Sequence, residues 1–145
     1  MSTRVFVDTS ALLALLNADD HQHDAARTAW ATLVRPGGDL WTTNYVVLEA
    51  SALVQRRMGI AALQVLYDAV LPVVHVDWVD AAAHDLAVAA VLAARRRDLS
   101  LVECASFGAM RRLGIARAFA FDAHFGAHGF DVVPPSGPTS EQGGA

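Results

Sequence analysis

Short apolar runs alternate along the chain with longer stretches whose apolar positions recur every three to four residues. The runs predict strands and the longer stretches helices. Residues 3–7 read as a short strand, followed by a helix from Ser10 to Leu16 and a second from His23 to Leu33. Pro36-Gly37-Gly38 is a turn before a brief strand over 40–42. Asn44 to Arg57 is strongly helical and stops near Gly59. Ile60 to Val70 predicts another helix, ended by Pro72, and Val73 to Val76 a strand. Ala81 to Arg97 is a long alanine-rich helix, and Leu101 to Leu113 a helix that Gly114 closes. Ala118 to Phe121 and Phe130 to Val133 complete the strands.

Strands separated by helices argue for an α/β fold, with a parallel sheet wrapped by helices. At 145 residues the chain is expected to form one domain over 1–133. Residues 134–145, PPSGPTSEQGGA, have linker composition and are expected to be a disordered tail. No apolar run is long enough to cross a bilayer, and no charged leader with a cleavage site precedes the first strand. A single cysteine, Cys104, excludes an internal disulfide. Together these features predict a cytoplasmic protein without membrane attachment.

Charge changes the picture only through its distribution. The net charge of −4 does not advertise nucleic-acid binding, but every basic residue is arginine. Arg56-Arg57, Arg95-Arg96-Arg97 and Arg111-Arg112 each fall late in a predicted helix, where they suit either the helix dipole or phosphate. Without lysine, a phosphate-loop lysine and a Schiff base are both excluded. The apolar fraction of 54% exceeds the usual share, which leaves surface for a partner or a second copy.

The candidate chemistry lies in the acids. Ligands of parallel sheets sit beyond the carboxyl ends of the strands, and Asp8 and Asp122 each follow one. Both positions also suit helix capping or a turn. Glu49 lies within NYVVLEASALV, where an apolar helical face would desolvate it unless an arginine or a metal compensates. Glu103 completes Ser100-Leu-Val-Glu103, the S-x-x-E capping box, with Asp98 nearby as an alternative acid. If the four converge, each pair about 5 Å apart repels by roughly 3 kcal/mol at an effective dielectric of 20. Such a cluster requires bound cations or raised pKa values, and all-oxygen ligands favour Mg²⁺ or Mn²⁺ over zinc. The histidines carry less. His21 and His23 open a helix, and Gly126 between His124 and His128 argues against a helical metal pair. His124 is expected to stand behind the acids at most.

Three segments, VFVDTSALLALL, TTNYVVLEASALV and DLSLVECASFGAMRRLGIARAFAFDAHF, resemble in order and separation the PIN-domain family, and within it the VapC toxins of bacterial toxin–antitoxin pairs. The resemblance runs from about Val5 to Val133. It implies a single PIN-like domain with a parallel sheet of about five strands, in which acidic residues bind Mg²⁺ (or Mn²⁺) and cleave RNA. Matched position by position, the family's acids fall on Asp8, Glu49, Glu103 and Asp122, with Thr9 and Ser10 supporting the first. Asp8 and Glu103 would hold the main metal; Glu49 and Asp122 would complete the pocket. The third acid is usually aspartate, so Glu103 is a departure, and octahedral Mg²⁺ tolerates little misplacement. The resemblance further implies a cognate antitoxin and an RNA substrate (transfer RNA is common among relatives), and the apolar surplus is compatible with a homodimer. The alternatives are a degenerate PIN module that binds RNA or protein without cutting, and a purely structural protein in which Asp8 caps and Glu103 boxes. A phosphatase with Asp8 as nucleophile is disfavoured, because position 10 is serine and lysine is absent.

Overall fold

The computed structural model describes residues 3–135. Residues 136–145 of the sequence-predicted tail lie outside the described residues. Five strands, β1 (Arg4–Val7), β2 (Asp39–Thr43), β3 (Val74–Asp77), β4 (Arg117–Phe119) and β5 (Asp131–Val133), form one parallel sheet in the order β3-β2-β1-β4-β5. Val5, Phe6 and Val7 of β1 are all buried, as a central strand covered on both faces requires.

Helices α1 (Thr9–Leu16) and α2 (His23–Leu33) join β1 to β2, and α3 (Asn44–Met58) and α4 (Ile60–Val65) join β2 to β3. Helices α5 (Ala81–Ala94) and α6 (Leu101–Leu113) return the chain across β2 and β1 to β4, and α7 (Ala123–Ala127) precedes β5. Strand order therefore reverses between β1 and β4. A crevice opens at the carboxyl ends of these two strands, where such sheets bind ligands.

Four elements depart from the sequence pattern. The helix predicted over 60–70 gives way after Val65 to a π turn, Leu66–Val70, and a 3₁₀ turn, Leu71–Val73. Pro72 has no amide hydrogen to continue the α-helical ladder. Helix α5 stops at Ala94 rather than Arg97, because Arg95 takes the left-handed conformation (φ 52°); Arg96 then pairs with Asp98 at 2.7 Å. Strand β4 ends at Phe119 rather than Phe121. The Ala120 amide donates to the Val133 carbonyl and the Phe121 amide to Ser10 Oγ at 2.9 Å, so Asp122 is carried beyond the strand end.

The fourth departure is α7, across a segment whose Gly126 argues against a helix. That glycine costs about 1 kcal/mol relative to alanine. Burial of Phe125, which is fully enclosed and meets Phe6 and Phe107 at ring-centroid distances of 6.3 and 5.0 Å, outweighs it at roughly 1.5–3 kcal/mol. Asp122 caps the helix by accepting from the His124 amide at 2.8 Å.

Among the described residues, no helix is long and apolar enough to cross a membrane. Cys104 is buried, and burial raises its thiol pKa, as befits a small core side chain.

Candidate metal centre

Asp8 stands at the junction of β1 and α1. It is only 4% exposed and caps α1: Oδ2 accepts from the Ser10 amide at 3.1 Å and from Ser10 Oγ at 2.6 Å. Ser10 Oγ in turn accepts from the Phe121 amide, so one serine ties Asp8 to the segment carrying Asp122. Burial pushes the Asp8 carboxyl up from 3.8 to about 6, against the lowering effect of the Ser10 hydrogen bonds and with a further contribution from Asp122. Capping and site placement thus coexist at Asp8.

The same holds for Glu103. The capping box is formed, with Ser100 Oγ accepting from the Glu103 amide and Glu103 Oε1 accepting from the Ser100 amide, both at 3.0 Å. The other oxygen, Oε2, lies 2.5 Å from His124 Nδ1. Burial raises the Glu103 pKa, Asp122 raises it further, and the bonds from Ser100 and His124 oppose the rise. Ser100→Ala is expected to cost about 1 kcal/mol by removing the cap. A fall of about 2–5 °C in melting temperature, measured by circular dichroism, would report it.

Glu49 is where the sequence reading needs correction. The apolar face of α3 that enters the core is Val46, Ala50 and Val54. Glu49 is half-buried on the neighbouring stripe, which continues through Leu53 and Arg57 at four-residue spacing. Of the two compensations open to it, the arginine partner is not formed: among the described residues, no ion pair or hydrogen bond is made by the Glu49 carboxylate.

A cleft of about 230 Å³ draws these groups together. Asp8, Glu49, Glu103 and Asp122 all line it, with Thr9, Ser10 and Arg57 beside them. Asp98 is not among the lining residues. It sits behind His124, its Oδ2 3.3 Å from His124 Nε2, and its carboxyl is held at about 2 by Arg96 first and His124 second.

His124 is closer to the acids than the sequence suggested. Its Nδ1 is 2.5 Å from Glu103 and 3.0 Å from Asp122, and Glu103, Asp122 and His124 offer ligand atoms all within 4.8 Å of one another. Glu103 is the main cause of its raised pKa. The short α7, which aims the imidazole back at α6, is what sequence periodicity could not reveal. The D-x-H spacing after β4 was the available signal. The other histidines lie elsewhere: His128 stacks on Phe107 at 4.4 Å, and His23 Nδ1 meets the Ala14 carbonyl at 2.9 Å.

The donor set fits a hard divalent cation. Four carboxylates face one cleft, no arginine pairs with any of them among the described residues, and Thr9 Oγ1 is buried without a hydrogen-bond partner. Among the described residues Asp8 and Glu49 have no cationic partner and Glu103 and Asp122 have only His124; an orphan oxygen beside such carboxylates is what a hydrated cation would satisfy.

A PIN-domain profile matches residues 5–131. The chain belongs to the PIN-domain family. It is 38% identical over 132 residues to the 23S rRNA-specific endonuclease VapC20 from two strains of Mycobacterium tuberculosis, covering 90% of this chain and 98% of the relative. Its fold matches the crystal structure of M. tuberculosis VapC20, described as a sarcin-ricin loop cleaving toxin, with a TM-score of 0.78 and 37% identity. That match covers 87% of this chain and 95% of the solved one. The PIN fold thus accounts for the parallel five-stranded sheet, and its nucleases are metal-dependent, in keeping with the acidic cleft.

Proposed function

We propose that this PIN protein is a metal-dependent endoribonuclease, the toxin of a toxin–antitoxin pair, acting on a single-stranded loop of ribosomal RNA in the cytoplasm. The observation that carries the reading is the convergence of Asp8, Glu49, Glu103 and Asp122 in one cleft at the strand-order reversal, in a chain similar to an rRNA endonuclease. Asp8 and Glu103 would hold the main cation, Mg²⁺ or Mn²⁺, with Asp122 and the Thr9 hydroxyl completing the pocket. A bound cation supplies a lowered water pKa and charge neutralisation at the phosphate. Glu49, which lines the same cleft and is free of other partners among the described residues, would orient the attacking water and accept its proton. His124 steadies the Glu103 and Asp122 carboxylates. In-line attack yields a 5′-phosphate and a 3′-hydroxyl.

The arginines divide by use. Arg112 pairs with Asp77, Arg96 with Asp98, and Arg111 lies over the Phe130 ring. Arg57, at the end of α3 and on the cleft wall, is placed for the phosphate beside the scissile bond. Arg57→Ala is expected to raise KM more than it lowers kcat, and to flatten the log–log salt dependence of RNA affinity by about 0.7. Fluorescence anisotropy across a potassium chloride series measures the slope.

Exposed apolar side chains, Leu48, Ile60, Trp78, Leu86 and Leu92 among them, supply surface for an antitoxin and a second copy of the chain. The test of the reading is incubation of purified protein with intact ribosomes and with bare 23S rRNA in Mg²⁺, Mn²⁺ or EDTA, followed by mapping of RNA ends. One discrete cut in metal and none in EDTA is expected. Intact RNA under every metal condition would move the reading to a non-cutting PIN module, which Glu103, engaged by both Ser100 and His124, also accommodates.

A further inference from the structure

Between the end of α5 and the start of α6 the chain makes a short loop that reaches His124. Arg95, in the left-handed conformation, turns the chain out of α5, and the buried Leu99 anchors the other end of the loop ahead of the Ser100 cap. Arg96 grips the Asp98 carboxylate with two donors, Nε to Oδ1 at 3.1 Å and Nη2 to Oδ2 at 2.7 Å. The same Oδ2 faces His124 Nε2 at 3.3 Å. The opposite ring nitrogen, Nδ1, reaches Glu103 Oε2 at 2.5 Å and Asp122 Oδ1 at 3.0 Å. An unbroken chain of polar contacts thus runs from a surface guanidinium to two of the acids.

Stability does not account for this arrangement. The Arg96 and Asp98 side chains are 53% and 60% exposed, and ion pairs so exposed contribute little to folding. What the chain of contacts can do is fix a ring. An imidazole held by one nitrogen still pivots about its Cβ–Cγ bond, where the rotational wells are broad; held at both nitrogens it keeps one plane. Glu103 has a similar need, because several side-chain torsions separate its carboxylate from the backbone and Ser100 holds only Oε1. We infer that Asp98, oriented by Arg96, is a positioning residue of the acidic centre: it locks the His124 imidazole, and through it holds Glu103 Oε2 and Asp122 in the geometry that receives the cation. Outer partners of this kind tune metal sites by orienting ligands that they do not replace. The inference rests on the metal-centre reading above and adds to it two residues that lie outside the cleft.

The test measures Mn²⁺ affinity of the full-length protein by isothermal titration and, in the metal-free protein, the ps–ns motion of the ¹³C-labelled His124 ring by NMR relaxation. Wild type should bind Mn²⁺ and hold the ring rigid. Asp98→Ala should weaken Mn²⁺ binding by at least about 10-fold and free the ring, with melting changed by no more than about 3 °C. Asp98→Asn, which keeps an acceptor for Nε2, should keep the ring rigid and stay within about threefold of wild type, the scale of one solvated charge removed at that range. Arg96→Ala separates position from charge by sign. Deleting a cation near the site strengthens Mn²⁺ binding if charge alone acts, whereas a loosened Asp98 weakens it; weakening is expected. Equal losses in Asp98→Ala and Asp98→Asn, tighter binding in Arg96→Ala, or a ring as rigid in Asp98→Ala as in wild type would overturn the inference. Wild-type protein that takes up no Mn²⁺ removes the metal reading and this inference together. Mn²⁺ binding that responds as described, in a protein that cuts no RNA, leaves the inference standing and removes the ribonuclease reading.

Discussion

Asp8→Asn is expected to abolish RNA cleavage and at the same time to stabilise the metal-free protein at neutral pH. Asparagine caps a helix as well as aspartate does, so the Ser10 bonds survive the exchange. What is lost is a buried negative charge, whose desolvation raises the Asp8 carboxyl from 3.8 to about 6. Because the folded-state value lies above the unfolded one, the wild-type carboxyl is protonated in both states below pH 3.8. From there to about pH 6 the unfolded chain ionises first, and stability is lost as pH rises; above that range the loss is complete. The displacement corresponds to about 3 kcal/mol. Urea unfolding in EDTA should therefore show a difference between variant and wild type that grows from pH 4.5 to pH 7 and then levels. Cleavage in Mn²⁺ should fall by at least about 100-fold, the scale of losing one electrostatic contact to a developing charge. A variant less stable than wild type at pH 7 would show that the acid is structural first.

Glu103→Gln separates the two duties of the third acid. Glutamine at this position still completes a capping box, so melting of the metal-free protein should change by no more than a few degrees. Removing the charge should weaken Mn²⁺ binding by at least about 10-fold and cleavage with it, as isothermal titration and end-mapping would show. Glu103→Asp makes the complementary exchange. It keeps the charge that this family usually carries as aspartate, but shortens the reach to the Ser100 amide, now bridged at 3.0 Å. Unchanged Mn²⁺ affinity in Glu103→Gln would leave Glu103 as a cap alone.

Much of this site was legible in the sequence because parallel sheets expose their ligand edge in a regular way. Asp8 follows an unbroken apolar strand, and Asp122 follows an extended segment even though β4 itself stops at Phe119. Ser100 and Glu103 are three apart at a helix start, and the capping box they predict is formed. What could not be read depends on packing between distant segments. Helix α7 exists because Phe125 finds a slot against Phe6 and Phe107, contacts that span most of the chain, and His124 reaches Glu103 only through that helix. Glu49 was placed on an apolar face by local spacing. Only the packing of α3 decides that its own stripe, with Leu53 and Arg57, lines the cleft while Val46, Ala50 and Val54 enter the core. The division of the arginine clusters between ion pairs and the cleft likewise follows from tertiary placement.

The most direct measurement is anomalous diffraction from a crystal of the wild-type protein soaked in Mn²⁺, collected at the manganese edge. A peak is expected inside the cleft, within coordination distance of Asp8 and of Glu103 or its bound water, and is expected to be lost in Asp8→Asn. A cleft without manganese at a concentration that supports RNA cleavage, or a peak remote from all four acids, would contradict it.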